Sequence, residues 1–395
     1  MCDTILLFES RDLCYESNRC FISCMADAFE AAGYPVEICD LSVRMEQQLE
    51  DLLERQEQFL AAFDFNSLLP RMELSDGTPY LEAFHVPFFN YLVDHPFYHH
   101  IGICRTFPDY YVICIDTCHS AYVRQYYPAV RGVYDLPLGG VKAGLERTFS
   151  QKRIDLLLPA SYDPEDGILE MIEECDSRKQ AELYYLIERL SAEPELPQEA
   201  ALSDWLYRQG EELDVGAFAK RMNQDFLADQ YLRNHIRRKT AEAAAENGLP
   251  LTIVGHGWEH VPGLLEKKNV TRYEGIGYRA SVQMIADAKI LLNTTPGFHG
   301  GLHDRVYTGM LNGCVCLTEK SSCAGQILTD GEDAVLYDPK DLPGMAQQAG
   351  RLLLEQTRAE RIAQCAKEHA GREHTWKCRI RKLTEQLLDD TILPD

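Results

Sequence analysis

The chain has 395 residues, 45% of them hydrophobic, with 62 acidic against 39 basic side chains and a formal charge of −23. That length suits two or three domains, and that hydrophobic share suits packed cores rather than a disordered chain. The negative field excludes a duplex nucleic acid or an anionic membrane surface as a general partner, while leaving room for a local basic pocket that takes a phosphate.

In chain order, "TILLF" (4–8) predicts a buried parallel strand and "RCFISCMADAFEAAG" (19–33) a helix closed by Gly33. "VEICDL" (36–41) predicts the next strand, and "SVRMEQQLEDLLERQ" (42–56) a helix with Ser42 as its cap. "FLAAFDFN" (59–66), "PFFNYLVD" (87–94) and "YYVICID" (110–116) continue the series with helices between. These runs lack a period of two, as expected where both faces of a sheet are covered. A second series starts at "RIDLLLPASY" (153–162) and is interrupted by a helical stretch over about 163–246. Its first part, 163–200, holds twelve Asp or Glu against three Lys or Arg. The strand rhythm resumes with "PLTIVG" (250–255), "KILLNT" (289–294), "CVCLTE" (314–319) and "AVLYD" (334–338), and the tail (372–390) reads as an amphipathic helix. The expected fold is α/β, with two Rossmann-like doubly wound domains facing a crevice. The expected boundaries are 1–145, 146–372 with the helical insertion, and 373–395 for the closing helix.

The fourteen cysteines contain no C-x-x-C pair and read as free thiols of a reducing compartment. "MCDTILLFES" has no positive leader region, and no run of about 18 apolar residues occurs. The expectation is a cytoplasmic protein without a membrane span.

Two stretches carry chemistry. In "NTTPGFHGGLHDRVYTGMLNG" (293–313), glycines at 297, 300 and 301 lead from a strand into a helix starting near His303 or Asp304. Glycine lets backbone approach a ligand, the helix start offers free N–H groups to an anion, and Arg305 adds a fork of donors suited to phosphate. The alternative is an ordinary strand–loop–helix connection with Arg305 in a surface ion pair. In "YLVDHPFYHH" (91–100), a strand ends at Asp94, and Pro96 starts a short helix while holding His95 extended. Asp94 and His95 then stand at a carboxyl strand end, where a base could serve an acceptor group. A metal site needs three or four convergent ligands, and His95, His99 and His100 do not share one face.

The segment "GLHDRVYTGMLNGCVCLTEKSSCAGQILTDGEDAVLYDPKDLPGMAQQAGRLL", with "LTIVGHGWE" (251–259) and "HTWKCRIRKL" (374–383), resembles the donor-binding half of GT-B glycosyltransferases. Within them it looks most like the spore-protein (CgeB-like) branch. The resemblance implies a metal-independent glycosyltransferase with no cofactor, taking a nucleotide sugar, UDP-sugar favoured, as donor. It places the donor beside Gly255, Trp258, Tyr273, Gly300, Gly301, His303, Asp304, Arg305 and Glu332. The first-domain loop, with Glu16 and Asn18, would face the acceptor. Trp258 is equally readable as a core anchor, and Asn18 as a helix cap. The family's paired glutamates would fall at Gly300 and Thr308, so a ribose diol would need Asp304 or Glu332 instead. A non-catalytic nucleotide-sugar binding module and a sugar-nucleotide epimerase remain alternative readings, and the oligomeric state stays open.

Overall fold

A computed structural model describes residues 4–10, 17–295, 297–390 and 392. The chain divides into two compact units, each built on a six-stranded sheet whose pairings are parallel. The first unit is discontinuous: residues 1–139 are joined by 214–223 and by the tail from 373 onward. The second holds 140–213 and 224–372.

The first sheet comprises β1 (Thr4–Glu9), β2 (Val36–Asp40), β3 (Phe59–Phe65), β4 (Phe88–Leu92), β5 (Tyr110–Cys114) and β6 (Gly132–Asp135), in the order β2-β1-β3-β4-β5-β6. The expected strands are present as apolar runs. β4 and β5 are buried at every position, as helices on both faces require. The tail helix Trp376–Asp389 packs on the helix Ser17–Ala31, with the rings of Trp376 and Phe21 5.7 Å apart. One expected cap differs. The helix after β2 runs Met45–Glu54 behind Arg44 in a left-handed conformation, and the Ser42 N–H instead closes a turn on Asp40.

The second sheet comprises β7 (Ile154–Pro159), β8 (Leu251–Val254), β9 (Val270–Tyr273), β10 (Ala288–Asn293), β11 (Val315–Glu319) and β12 (Val335–Tyr337), in the order β12-β11-β10-β7-β8-β9. The chain builds outward from β7 on one side through β8 and β9, then on the other through β10 to β12. The order therefore reverses between β7 and β10, and ligands of open α/β sheets bind at the carboxyl ends of the strands at such a point. The expected helical stretch is five helices, from Glu165–Glu173 to the long Phe226–Glu246. Its short helix Val215–Gln224 stacks Phe218 on Tyr126 at 4.8 Å, within the first unit. Among the described residues no helix is long and apolar enough to cross a membrane, and the described cysteines are free.

Asp64, near the end of β3, is fully buried with no cation bonded to it among the described residues, and one oxygen accepts the Leu69 N–H at 2.7 Å. Burial pushes its carboxyl up to about 8 against the opposing pull of the Leu69 and Leu68 amides. An unfolded aspartate titrates near ~3.9, so the folded state holds a proton that the unfolded chain loses. The favourable contribution is complete below the unfolded value and is lost as pH rises toward about 8. Asp64→Asn should match the parent in thermal unfolding at pH 4 and exceed it at pH 8. A parent advantage that grows with pH would contradict this assignment.

Candidate active site

The second unit gathers its polar chemistry at the β7/β10 switch point. After β7, residues 160–163 are clasped from two sides. The Trp258 indole donates to the Ala160 carbonyl at 2.6 Å, and the Tyr162 N–H donates to the His256 carbonyl at 2.9 Å. From the other side, Arg237 on the helix Phe226–Glu246 donates to the Ser161 carbonyl at 3.0 Å. Gly257 is required here: its φ is +81°, and a Cβ would lie 1.8 Å from the Tyr162 carbonyl oxygen.

After β10 comes the glycine loop, and then the helix Asp304–Leu311. The loop stem is tied down by Glu319 at the end of β11, which accepts the Thr295 N–H at 3.0 Å. Burial pushes this carboxyl up to about 7. Gly297 has a φ of +80° and lies against Asp229 of the long helix, 3.1 Å from where its Cβ would stand. His303 Nδ1 approaches Asp304 Oδ1 at 2.6 Å, and its Nε2 lies 3.2 Å from Arg305 Nη2. The Arg305 N–H also reaches Nδ1 at 3.3 Å, so a neutral ring protonated on Nδ1 serves Asp304 and Arg305 Nη2, and the other neutral tautomer caps the Arg305 N–H instead. Desolvation, then the Arg305 charge, push His303 down and favour a neutral ring. Burial pushes Asp304 up, but His303, Arg305 and the Tyr278 hydroxyl outweigh it and hold the carboxyl below its usual range.

Arg305 and Arg237 are partly buried, and desolvation pushes both down. Arg237 reaches about 10, with Arg305 and then Arg233 adding to the effect of burial. Arg305 Nη1 and Arg237 Nε are enclosed without a hydrogen-bond partner among the described residues. Three neighbouring guanidiniums, Arg233 among them paired with Asp229 at 2.7 Å, stand at a strand-end switch point beside a glycine loop and a helix start, an arrangement suited to an anion. Arg233 and Arg237 were not singled out from the sequence. The available signal was the basic run "RNHIRRK" (233–239) in an acidic chain, with Arg233 and Arg237 four apart and so on one helix face.

Residues 232–385 match a family model described as glycosyl transferase-like. Solved structures similar over the full length include an α-glucosyltransferase in complex with UDP-glucose and DNA containing an abasic site. It has 11% identity and a TM-score of 0.57, with 98% of this chain and 99% of that one covered. Anabaena Alr3699/HepE in complex with UDP and glucose has 11% identity and a TM-score of 0.55, and sucrose-phosphate synthase from Thermosynechococcus elongatus 11% and 0.54. Each of these two covers 98% of this chain and is itself covered completely. No curated protein matches the chain in sequence. The chain shares the fold of these glycosyltransferase structures, and its residues 232–385 carry the glycosyl transferase-like match.

Several residues expected at the donor lie along the carboxyl edge of the second sheet. Gly300, Gly301, His303, Asp304 and Arg305 share the loop and helix start. Gly255 and the exposed Tyr273 sit at the carboxyl ends of β8 and β9. Two do not fit a ligand-facing role. Trp258 is fully enclosed and spends its N–H on Ala160, so it acts as a core anchor. Glu332 is an exposed residue of the turn before β12, at the amino end of that strand and thus at the sheet edge opposite the glycine loop. Thr308, at a position of the family glutamates, is 1% exposed and accepts the Val141 N–H at 3.1 Å. Asn312, one turn on, bonds the Val141 carbonyl and the Ala143 N–H at 2.8 and 2.9 Å. That helix face is occupied by the chain's own residues 141–143.

In the first unit, Asp94 follows β4 and accepts from Asn66 Nδ2 at 3.0 Å. His95 Nδ1 accepts the Phe97 N–H at 3.2 Å, which puts a neutral ring's proton on Nε2. Its ring lies against His119 and Tyr122 at 4.6 and 4.9 Å. The other histidines of the motif diverge. His99 is 6% exposed, and burial pushes it down to about 4 despite the neighbouring Asp94 charge. His100 Nδ1 lies 3.0 Å from the Tyr127 hydroxyl. Asn18 is fully buried and accepts the Ser10 N–H at 2.9 Å, so it ties β1 to the next helix and offers no surface to a substrate. Glu16 lies outside the described residues.

Proposed function

We propose that the protein transfers a sugar from a UDP-sugar to an acceptor hydroxyl without a metal ion. The observation that carries this reading is the pair Arg237 and Arg305 beside the glycine loop, with Arg237 Nε and Arg305 Nη1 enclosed and unbonded among the described residues, next to Arg233, which pairs with Asp229 at 2.7 Å. A diphosphate would bond these guanidiniums, which provide the positive charge that another enzyme would draw from a divalent cation. Alr3699/HepE and the α-glucosyltransferase bear UDP or UDP-glucose on this fold, which supports a UDP-sugar here.

In the reaction the bond from the sugar's anomeric carbon to the phosphate oxygen breaks, and a bond to the acceptor oxygen forms. UDP leaves with its charge held by Arg305 and Arg237, a stabilisation that grows as the charge develops. The acceptor proton passes to the Asp94 carboxylate, while His95, with its proton on Nε2, serves as a donor toward sugar hydroxyls. UDP should raise the thermal midpoint in the presence of EDTA, because a ligand that binds only the native state stabilises it. No shift with UDP in EDTA, and none with added Mg2+ or Mn2+, would remove the donor assignment. A shift only with metal would remove the metal-free part of it.

A further inference from the structure

We infer that Asn66 is a positioning residue for Asp94, an inference that rests on the reading of Asp94 as the acceptor's base. Asn66 follows β3 and holds the next strand end with both ends of its amide. Its Oδ1 accepts the Val93 N–H at 3.0 Å, and its Nδ2 donates to Asp94 Oδ2 at 3.0 Å. The amide thus fixes the backbone immediately before Asp94 and one carboxylate oxygen together.

The backbone that presents this amide is strained. Asn66 and Ser67 have φ of +54° and +58°, two successive non-glycine residues in the left-handed region. Asparagine tolerates that region and serine does so poorly, so such a pair persists only where its surroundings over-determine it. The surroundings here are buried and polar. Ser67 donates its N–H to Asn90 Oδ1 at 2.9 Å and accepts from Asn90 Nδ2 at 2.7 Å. Asn90 Nδ2 also reaches the Tyr110 hydroxyl at 2.8 Å, and that hydroxyl donates to the Gly102 carbonyl at 3.2 Å. Gly102 has no room for a side chain, since a Cβ would meet that of Ser67 at 2.5 Å. A frame of this cost is not required to cap a strand, because a plain turn would do so. What it achieves is a fixed amide aimed at Asp94.

The test is a double-mutant cycle on the full chain, measuring turnover of UDP-sugar with acceptor, UDP affinity and thermal midpoint. Asn66→Gly keeps the left-handed backbone available and deletes the amide. It should lower kcat roughly 10- to 100-fold, as loss of orientation at a reacting group does, with UDP affinity unchanged. The same change in an Asp94→Asn background should cost nothing further, because the group it orients is gone. Asn66→Asp retains the oxygen that accepts Val93 N–H but sets a second carboxylate against Asp94, so it should not rescue. An equal loss from Asn66→Gly in both backgrounds would make Asn66 a structural residue only and overturn the inference. Parent turnover in Asp94→Asn would overturn the base assignment itself, and the inference with it, by a distinguishable result.

Discussion

Arg305→Ala is expected to weaken UDP binding on the order of 100-fold, about 2.7 kcal/mol. The side chain stands in the first turn of the helix after the glycine loop, partly buried, with Nη1 enclosed and unbonded and Nη2 on neutral His303. Burial disfavours the Arg305 charge more than Asp304 favours it, and Arg237, pushed down to about 10 by burial and then by Arg305, adds repulsion. The ligand-free variant should therefore unfold at the parent's midpoint or higher while losing most of the UDP-induced shift. This opposite movement of stability and binding separates a functional arginine from a structural one. Arg305→Lys keeps the charge but loses the planar fork and should fall between. Calorimetric titration with UDP checks the series, and parent affinity in Arg305→Ala would end the diphosphate assignment.

Asp94→Asn should lower kcat roughly 100- to 10,000-fold, the usual span for removing a general base, with UDP affinity unaltered. The substitution is close to isosteric and sits beside, not within, the buried Ser67–Asn90–Tyr110 frame, so the fold should stand. His95→Ala should cost less, since its ring engages Phe97 N–H at Nδ1 and acts as a donor, and much of the loss should appear in KM for the acceptor. Steady-state kinetics with saturating donor tests both. A kcat for Asp94→Asn within a few-fold of the parent would move the base elsewhere.

Ten of the twelve strands were legible as apolar runs, and the two that escaped share a physical reason. β6 and β9 close the outer edges of their sheets, are four residues long, and keep exposed or half-exposed positions along their length. "GVYD" and "VTRY" therefore carry no buried run to read. The glycine loop with Arg305 was readable because its features are contiguous. Arg233 and Arg237 come from a helix some sixty residues earlier, and their relation to the loop is created by the sheet order that sets β7 beside β10. Trp258 shows the converse limit. A tryptophan in a glycine-flanked loop suggests a ligand platform, and only the position of the Ala160 carbonyl shows that the ring is packed inward.

The discontinuous first unit bears on how the molecule is made. Its helix Ser17–Ala31 emerges from the ribosome early, yet the helix Trp376–Asp389 that covers it is synthesised only after the whole second unit. Until then Phe21 and its neighbours lack their cover, and the all-parallel sheet beneath gains nothing from local hairpins. The second unit can complete its sheet first, so nascent chains would pass through a stage with one finished half and one half awaiting its last helix. Chains released before residue 376 would retain the second unit while exposing an apolar face of the first, which makes them natural clients of chaperones and proteases.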